Sequence, residues 1–415
     1  VSIASGENST ALGNNSKATG TSAVAVGSSS IASGVGALAV GNDAQATGNN
    51  ATAVGAGNND SQLNAARALG VASTAVGYQS TATGDYSVAI GRGSHALQSA
   101  IAIGDGANSN QGGTEYNGIA IGKNSTAWSH GIALGVGASA DGSSADQATP
   151  QVGAIAIGYN AKIVNANGGI AIGNLAQITN QYKLYGLALG YQANSYEHYA
   201  VAVGGNSNAM EVSSLALGYN SKSTNKSAVA VGANTTASGA QAISIGESSI
   251  ASGVNSVAVG NKATANNTDA LAFGNGSVAS AAQAIAIGKS STASGAQAIA
   301  LGFSSSASQN NSYAFGTLAK STGANSYAMG TSSQALSTQA IAIGNGAVAD
   351  SNNGGNNAGQ AIAIGANAYA HSQDSSATGG NTAIAIGRNS YAELSGVAIG
   401  YGTQASQGGA VAIGY

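Results

Sequence analysis

The sequence of 415 residues contains no cysteine and one proline, Pro150. The absence of cysteine excludes a disulfide framework and thiol chemistry. Charged residues make up 7% of the chain, against about 25% in an ordinary soluble domain. Lysine and arginine total 12, so the basic stripe of a nucleic-acid-binding protein is missing. No apolar run reaches the ~18 residues that a membrane-spanning helix needs.

Catalytic and metal-binding patterns are also missing from the sequence. It shows no Ser-His-Asp set, no paired-carboxylate motif and no phosphate-binding loop. We therefore expect no enzymatic activity, no cofactor and no metal site. Asp141 and Asp146, which share one predicted loop, are the weak alternative for holding an ion. The four histidines lie far apart along the chain: His95, His130, His198 and His371.

Glycine is abundant, with 63 residues, and much of it punctuates one repeated word. The pattern apolar-Ala-apolar-Gly, as in Ile285–Gly288, occurs 27 times with minor variation. Between Gly190 and Gly344 the final glycines follow one another in eleven consecutive steps of 14 residues. A second glycine often lies halfway, as at Gly239. Each unit therefore predicts two short strands joined by tight turns, which together form one coil of a solenoid.

The first strand of each unit alternates small and polar residues. In the repeat that follows Gly13, Ser16 and Ala18 are small. Lys17 and Thr19, which alternate with them, are polar. This alternation predicts a strand with one face buried and the other in water.

The second strand is apolar on both faces, so it needs cover on both sides. We expect its bulky residues, such as Val257 and Val259, to fill the core of the coil. The small residues between them, Ser256 and Ala258, would then face a neighbouring chain. A stripe of this kind along the whole chain exceeds what a soluble monomer exposes. The sequence thus predicts a homo-oligomer packed along its length.

Four of the repeated words carry a family resemblance: "YSVAIG" (Tyr86–Gly91), "NSVAVG" (Asn255–Gly260), "NSYAFG" (Asn311–Gly316) and "NSYAMG" (Asn325–Gly330). With the 14-residue period, they make essentially the whole chain resemble the head domains of YadA-like trimeric autotransporter adhesins. The resemblance implies an all-β fold, a left-handed parallel β-roll solenoid of 14-residue coils that assembles as a homotrimer. It further implies a single head over residues 1–415, exposed on the outer membrane of a Gram-negative bacterium.

The resemblance also implies a function. Such heads bind host extracellular-matrix proteins (collagen, fibronectin, laminin) or epithelial receptors such as carcinoembryonic-antigen-related adhesion molecules. Two alternatives remain: a passive spacer of a longer adhesin, and a surface- or ice-binding solenoid, which would need regular Thr ladders. Because the chain begins and ends within repeats, we interpret it as an excised head fragment or a processed segment. Membrane contact is then expected only through a C-terminal anchor outside this sequence.

Six steps of the repeat are too long, and most of the surplus falls at the turn between the first and second strand. Loops at that turn would emerge along one edge and form a binding surface, or they are bulges without a partner. The insertions lie near residues 56–71, 110–117, 143–152, 180–185, 351–360 and 372–381.

One stretch, Asn180–Gly204, holds five of the 16 tyrosines. Tyrosine is a frequent anchor of protein interfaces, although these side chains could instead shield a packing defect beside the insertion. Trp128 is a further possible anchor, and Asn255 belongs to a word that the resemblance ties to collagen binding. The predicted ligand-binding residues are therefore Tyr182, Lys183, Tyr185, Tyr191, Tyr196, His198, Trp128 and Asn255.

Overall fold

A computed structural model describes residues 1–57, 64–111, 117–142, 153–179, 183–351, 360–372 and 382–415. Each coil contributes one short strand to each of two parallel sheets, which confirms the predicted all-β parallel solenoid. The chain divides into two compact units, residues 1–213 and 214–415.

The first sheet has mainly polar side chains on its outer face, and we call it the polar sheet. In the first unit its strands are Ile3–Ala4, Lys17–Ala18, Ile31–Ala32, Gln45–Ala46, Arg67–Ala68, Thr81–Ala82, His95–Ala96, Asn108–Gln111, Thr126–Trp128, Ser139–Ala140, Lys162–Ile163, Gln177–Ile178, Asn194–Ser195 and Asn208–Ala209. In the second unit they are Lys222–Ser223, Thr236–Ala237, Ile250–Ala251, Thr264–Ala265, Val278–Ala279, Thr292–Ala293, Ser306–Ala307, Lys320–Ser321, Gln334–Ala335, Val348–Ser351, Tyr369–Ser372, Tyr391–Glu393 and Gln404–Ala405.

The second sheet carries Val, Ile and Leu on its outer face, and we call it the apolar sheet. In the first unit its strands are Thr10–Leu12, Val24–Val26, Leu38–Val40, Thr52–Val54, Thr74–Val76, Val88–Ile90, Ile101–Ile103, Ile119–Ile121, Ile132–Leu134, Ile155–Ile157, Ile170–Ile172, Leu187–Leu189 and Val201–Val203. In the second unit they are Leu215–Leu217, Val229–Val231, Ile243–Ile245, Val257–Val259, Leu271–Phe273, Ile285–Ile287, Ile299–Leu301, Tyr313–Phe315, Tyr327–Met329, Ile341–Ile343, Ala361–Ile364, Ala383–Ile386, Val397–Ile399 and Val411–Ile413.

The core between the sheets consists of small side chains, contrary to the expectation for the second strand. Ser256 and Ala258 are fully buried, whereas Val257 and Val259 lie half-exposed on the outer face. Among the described residues, the buried apolar side chains are alanines except for Ile163 and Ile178. In the other coils, the two sheets therefore approach so closely that a bulky residue fits only outside. The prediction of an apolar second face holds, but the bulky side chains form that face.

One coil of the second unit shows how the turns are made. Gly260 has a φ of 131°, and a Cβ there would lie 2.5 Å from the carbonyl oxygen of Gly274 in the next coil. Such close stacking leaves no room for a side chain, which explains the glycine that ends each word. At the other turn, the buried hydroxyl of Ser256 donates to the carbonyl oxygen of Gly253 at 2.7 Å. The hydroxyl of this buried serine is thereby satisfied locally.

The two buried isoleucines are accommodated by glycines on the facing strand. Ile163 and Ile178 are neighbours in register on the polar sheet. Opposite them, Gly169 and Gly186 occupy the position that Ala154 holds one coil earlier. A Cβ on Gly169 would lie 3.1 Å from Cδ1 of Ile178, and one on Gly186 would lie 3.4 Å from it. The extra volume of each isoleucine on one sheet is thus accommodated because the facing residue on the other sheet is a glycine, which has no side chain.

Strand order places five of the six insertions at the predicted turn, between a polar-sheet strand and the next apolar-sheet strand. The insertion near 56–71 differs, because it follows Thr52–Val54 of the apolar sheet and precedes Arg67–Ala68 of the polar sheet. Register continues across the insertions, as where Ile132 pairs with Ile155. Residues 58–63, 112–116, 143–152, 180–182, 352–359 and 373–381, and with them most of the predicted loops and Asp146, lie outside the described residues.

Candidate functional site

Tyr185 and Tyr199 form an aromatic turn in the first unit. Both residues lie at the turn from the polar to the apolar sheet, in adjacent coils, with φ values of 54° and 56°. Their rings stack with centroids 5.8 Å apart and planes inclined by 23°. Each side chain is about half exposed, at 49% and 52%. A left-handed φ is uncommon for a bulky residue, and in other coils Asn255 or Ser213 takes this position.

A small extra sheet supports this turn. Lys183–Leu184 pairs in parallel with Ala166–Asn167, and the Tyr185 amide donates to the carbonyl oxygen of Asn167 at 3.0 Å. The Leu184 amide donates to Nδ1 of His198 at 3.2 Å. Because Nδ1 accepts this bond, the neutral His198 ring carries its proton on Nε2. The ring centroid of His198 lies 6.4 Å from that of Tyr199.

Tyr191 and Tyr196 belong to a different surface. Tyr191 is 51% exposed at the opposite turn, where the chain passes from the apolar to the polar sheet, and Tyr196 lies half-buried just after the strand Asn194–Ser195. The structure therefore brings Tyr185, Tyr199 and His198 together at one turn, and Tyr191 and Tyr196 lie outside that turn.

The remaining predicted residues are dispersed. Lys183 enters the extra sheet through its backbone, while its side chain and all of Tyr182 lie outside the described set. Trp128 lies half-buried on the polar sheet. Its strand is separated by four steps of strand pairing from the strand that contains Asn194. Asn255 is in the second unit, exposed, and its Nδ2 donates to Oδ1 of Asp269 at 3.1 Å.

Comparison with known proteins gives the family. The family model described as "YadA head domain repeat (2 copies)" matches more than half of the chain, over residues 4–30, 32–58, 68–94, 184–207, 212–235, 237–263, 265–291, 293–319, 321–347, 357–382 and 394–415. The chain belongs to the YadA head family. A solved structure described as the collagen-binding domain of the Yersinia adhesin YadA is 24% identical, with a TM-score of 0.27, over 34% of this chain and 70% of that one. A search of curated proteins finds no match.

Family membership confirms the predicted YadA-like adhesin head with its β-roll. Within the described ranges, no three His, Cys, Asp or Glu side chains gather as a metal site requires. Asp141 is buried there, and its predicted partner Asp146 is not described. The described residues also include no helix of the length and apolarity needed to cross a membrane.

A second aromatic ladder in this YadA head was missed by the sequence analysis. On the polar sheet of the second unit, the rings of Tyr369 and Tyr391 stack with centroids 5.3 Å apart. The ring of His371 lies 6.0 Å from that of Tyr369, and its Nδ1 is 3.9 Å from Oδ2 of Asp350. The Tyr391 hydroxyl donates to the carboxylate of Glu393. The signal was the repeated Tyr-Ala pair in "YAHS" and "YAEL", which follows consecutive insertions.

The sequence predicts that one face of the second strand meets a neighbouring chain, but it does not predict that this face carries the bulky and aromatic side chains. In the second unit the Tyr313 and Tyr327 rings stack with centroids 4.8 Å apart and planes inclined by 12°. Next to them, an apolar pocket of about 280 Å³ is lined by Phe315, Tyr327, Ala328, Met329, Ile341 and Ile343. Within a single chain this face has no cover, and Met329 remains 49% exposed. Large uncovered apolar surface of this kind marks an interaction face.

Proposed function

We propose that this YadA head binds a host extracellular-matrix protein or an epithelial receptor through the aromatic turn of the first unit, formed by Tyr185, Tyr199 and His198. Collagen is the leading candidate, since the Yersinia structure named above is described as collagen-binding. Fibronectin, laminin and carcinoembryonic-antigen-related adhesion molecules are the other partners to be tested. The head would act as a homotrimer, exposed on the surface of a Gram-negative bacterium.

The observation that carries this proposal is the use of tyrosine where the turn favours small polar residues. A left-handed backbone conformation at a non-glycine residue costs on the order of 1 kcal/mol and is best tolerated by Asn or Asp. Two consecutive tyrosines at this turn therefore have no local backbone advantage. They do expose two stacked rings whose rigid, amphipathic surfaces are typical binding anchors.

The neighbouring groups add polar contacts to this aromatic surface. Because Nδ1 of His198 already accepts the Leu184 amide, Nε2 remains as a donor for a partner. Tyr182 and Lys183 precede the turn in sequence and are proposed to extend it. A partner protein would then contact the exposed tyrosine rings and form hydrogen bonds with a few polar groups beside them. Such a combination is common at the centres of protein interfaces.

The test replaces both exposed tyrosines by the residue that the same turn uses elsewhere. We expect Tyr185→Asn with Tyr199→Asn to keep the fold and to weaken binding by about thirtyfold, equivalent to ~2 kcal/mol. Surface plasmon resonance against collagen, fibronectin, laminin and the receptor ectodomain measures the loss. Trp128→Ser, with Tyr182→Asn, tests the other predicted anchors in the same assay.

The matched control is Gln283→Asn with Gln297→Asn. These residues hold the same turn position in adjacent regular coils, with φ values of 58° and 59°, and their side chains are hydrogen-bonded at 3.0 Å. The control should bind like the unaltered chain. Equal affinity of the tyrosine variant and the control would contradict the aromatic-turn site, and no binding of any partner by the unaltered chain would favour the passive-spacer role.

A further inference from the structure

We propose that the polar sheet of the first unit carries a second site, which binds an uncharged carbohydrate of one or two hexose units. The site is an amide patch formed by Gln177, Gln192, Asn194, Asn206 and Asn208. Together with Leu175, these side chains line a groove of about 340 Å³. This site is separate from the aromatic turn, so the proposal does not depend on the proposed function.

The groove arises from the register of three consecutive coils. Gln177, Asn194 and Asn208 are paired neighbours on adjacent strands. Leu175, Gln192 and Asn206 precede them by two residues and have left-handed φ values of 60°, 52° and 57°. The six side chains therefore form two parallel columns with a channel between them. Three strands spaced ~4.8 Å apart give the channel a length of about 10 Å, which suits a disaccharide.

Internal hydrogen bonds fix the central amides. Nδ2 of Asn194 donates to the carbonyl oxygen of Gln192 and to Oδ1 of Asn208, both at 3.0 Å. Nδ2 of Asn208 donates to the carbonyl oxygen of Asn206 at 2.8 Å. These bonds orient the two amides before a ligand arrives, so less conformational entropy is lost on binding.

The same bonds leave hydrogen-bonding capacity for a ligand. Oδ1 of Asn194 and the second amide hydrogen of Asn208 are not used by the bonds above. The side-chain amides of Gln177 and Gln192 make no hydrogen bond to other described parts of the chain. A planar amide offers a donor and an acceptor side by side, which matches the paired hydroxyl groups of a sugar ring.

Two tyrosines are close to the patch in sequence, on the same coil. Tyr191 directly precedes Gln192, and Tyr196 follows Asn194 by two residues on the outward side of the sheet. Such rings provide an apolar surface for the C–H face of a sugar, while the amides contact its hydroxyls. The patch itself has no charged side chain; Lys162, paired with Gln177, lies one strand before it. This neutrality favours an uncharged ligand over a sulfated or sialylated one.

The experiment uses the full chain and four neutral disaccharides: lactose, N-acetyllactosamine, maltose and N,N′-diacetylchitobiose. Saturation-transfer difference NMR and isothermal titration should detect binding of at least one of them. Asn194→Thr with Asn208→Thr, and separately Tyr196→Ser, introduce residues that regular coils carry at the same positions, as in Thr236 and Ser238. Each variant should weaken binding at least tenfold.

The control is Asn220→Ser with Asn234→Ser, which removes an amide pair hydrogen-bonded at 2.9 Å in the second unit. Binding that persists in this control and is lost in the patch variants supports the site. The proposal is overturned by the absence of binding to all four sugars, or by binding that the patch variants leave unchanged. Tighter binding of sialyl-N-acetyllactosamine that disappears in Lys162→Gln would overturn the assignment to an uncharged ligand.

Discussion

At the scale of single residues, the Tyr391 hydroxyl shows how the exposed polar sheet tunes a titratable group. This hydroxyl donates to the carboxylate of Glu393, two residues later on the same strand. The hydrogen bond, with smaller contributions from burial and from the negative charge of Glu393, raises the pKa of Tyr391 to about 12. The neighbouring Tyr369 also has a raised pKa, first because of burial and then because of Asp350 and Glu393.

We therefore predict that Glu393→Gln lowers the pKa of Tyr391 from about 12 towards the ordinary value near 10. Since the folded-state pKa lies above the unfolded one, the stabilisation is complete below about pH 10 and is lost as the pH rises through the folded value. Titration of tyrosine ζ-carbon NMR signals, with Tyr391→Phe to assign the resonance, measures the shift. An unchanged pKa in the Glu393 variant would contradict the assigned cause.

At the scale of the coil, the facing positions of the two sheets are coupled by volume. Ile178 and Gly186 occupy positions that are Ala46 and Ala51 in an ordinary coil. A Cβ on Gly186 would lie 2.9 Å from Oγ of Ser195 and 3.4 Å from Cγ2 of Ile178. The space between the sheets is thus filled by one large side chain or two small ones.

This coupling predicts the outcome of a double-mutant cycle. Gly186→Ala alone should overpack the core and cost about 1–3 kcal/mol of unfolding free energy. Ile178→Ala alone should leave a cavity and cost about 2–4 kcal/mol. The double variant should be more stable than the sum of the two changes implies, because it restores the ordinary pair. Chemical denaturation of the four proteins measures the coupling, and strictly additive losses would show that the two positions are independent.

The coil is also where prediction from sequence succeeds and then stops. The period, the two strands, the turn glycines and the turn that holds most insertions follow from the spacing of Gly13, Gly27 and their successors. The predicted orientation of the second strand was wrong, because both of its faces are apolar and hydrophobicity alone does not show which face is buried. Only the closeness of the sheets, which admits Ala258 and not Val257, decides which face is inside.

The candidate sites were predictable to a smaller extent. The tyrosine-rich segment stood out by composition, but its division into the aromatic turn and the surface beside Asn194 depends on which turn each residue occupies. The amide patch consists of Gln and Asn, which are common throughout the chain. It becomes visible only through the register that places Gln177, Asn194 and Asn208 side by side.

At the scale of the whole molecule, we expect the outer face of the apolar sheet to hold the assembly together. In the second unit, Phe273, Ile287 and Leu301 are direct neighbours in register on this face. Phe273 is 52% exposed and Leu301 43% exposed in the single chain. Covering even ~300 Å² of such surface per chain stabilises an oligomer by roughly 7 kcal/mol before association costs.

We therefore predict that the chain is a homotrimer, the number three being taken from the family. Phe273→Asp with Leu301→Asp places charges on the uncovered face and should shift the protein towards monomer at micromolar concentration. Since these side chains lie outside the Ala and Ser core, each monomer should keep its β-rich circular dichroism.

By the same reasoning Val257→Asp should weaken assembly, whereas Ala258→Asp should prevent folding. Thr264→Asp with Thr292→Asp, on the outer face of the polar sheet, is the matched control and should remain trimeric. Sedimentation equilibrium distinguishes these results. A monomeric unaltered chain, or a control that dissociates as readily as the apolar-face variant, would show that this face does not hold the assembly together.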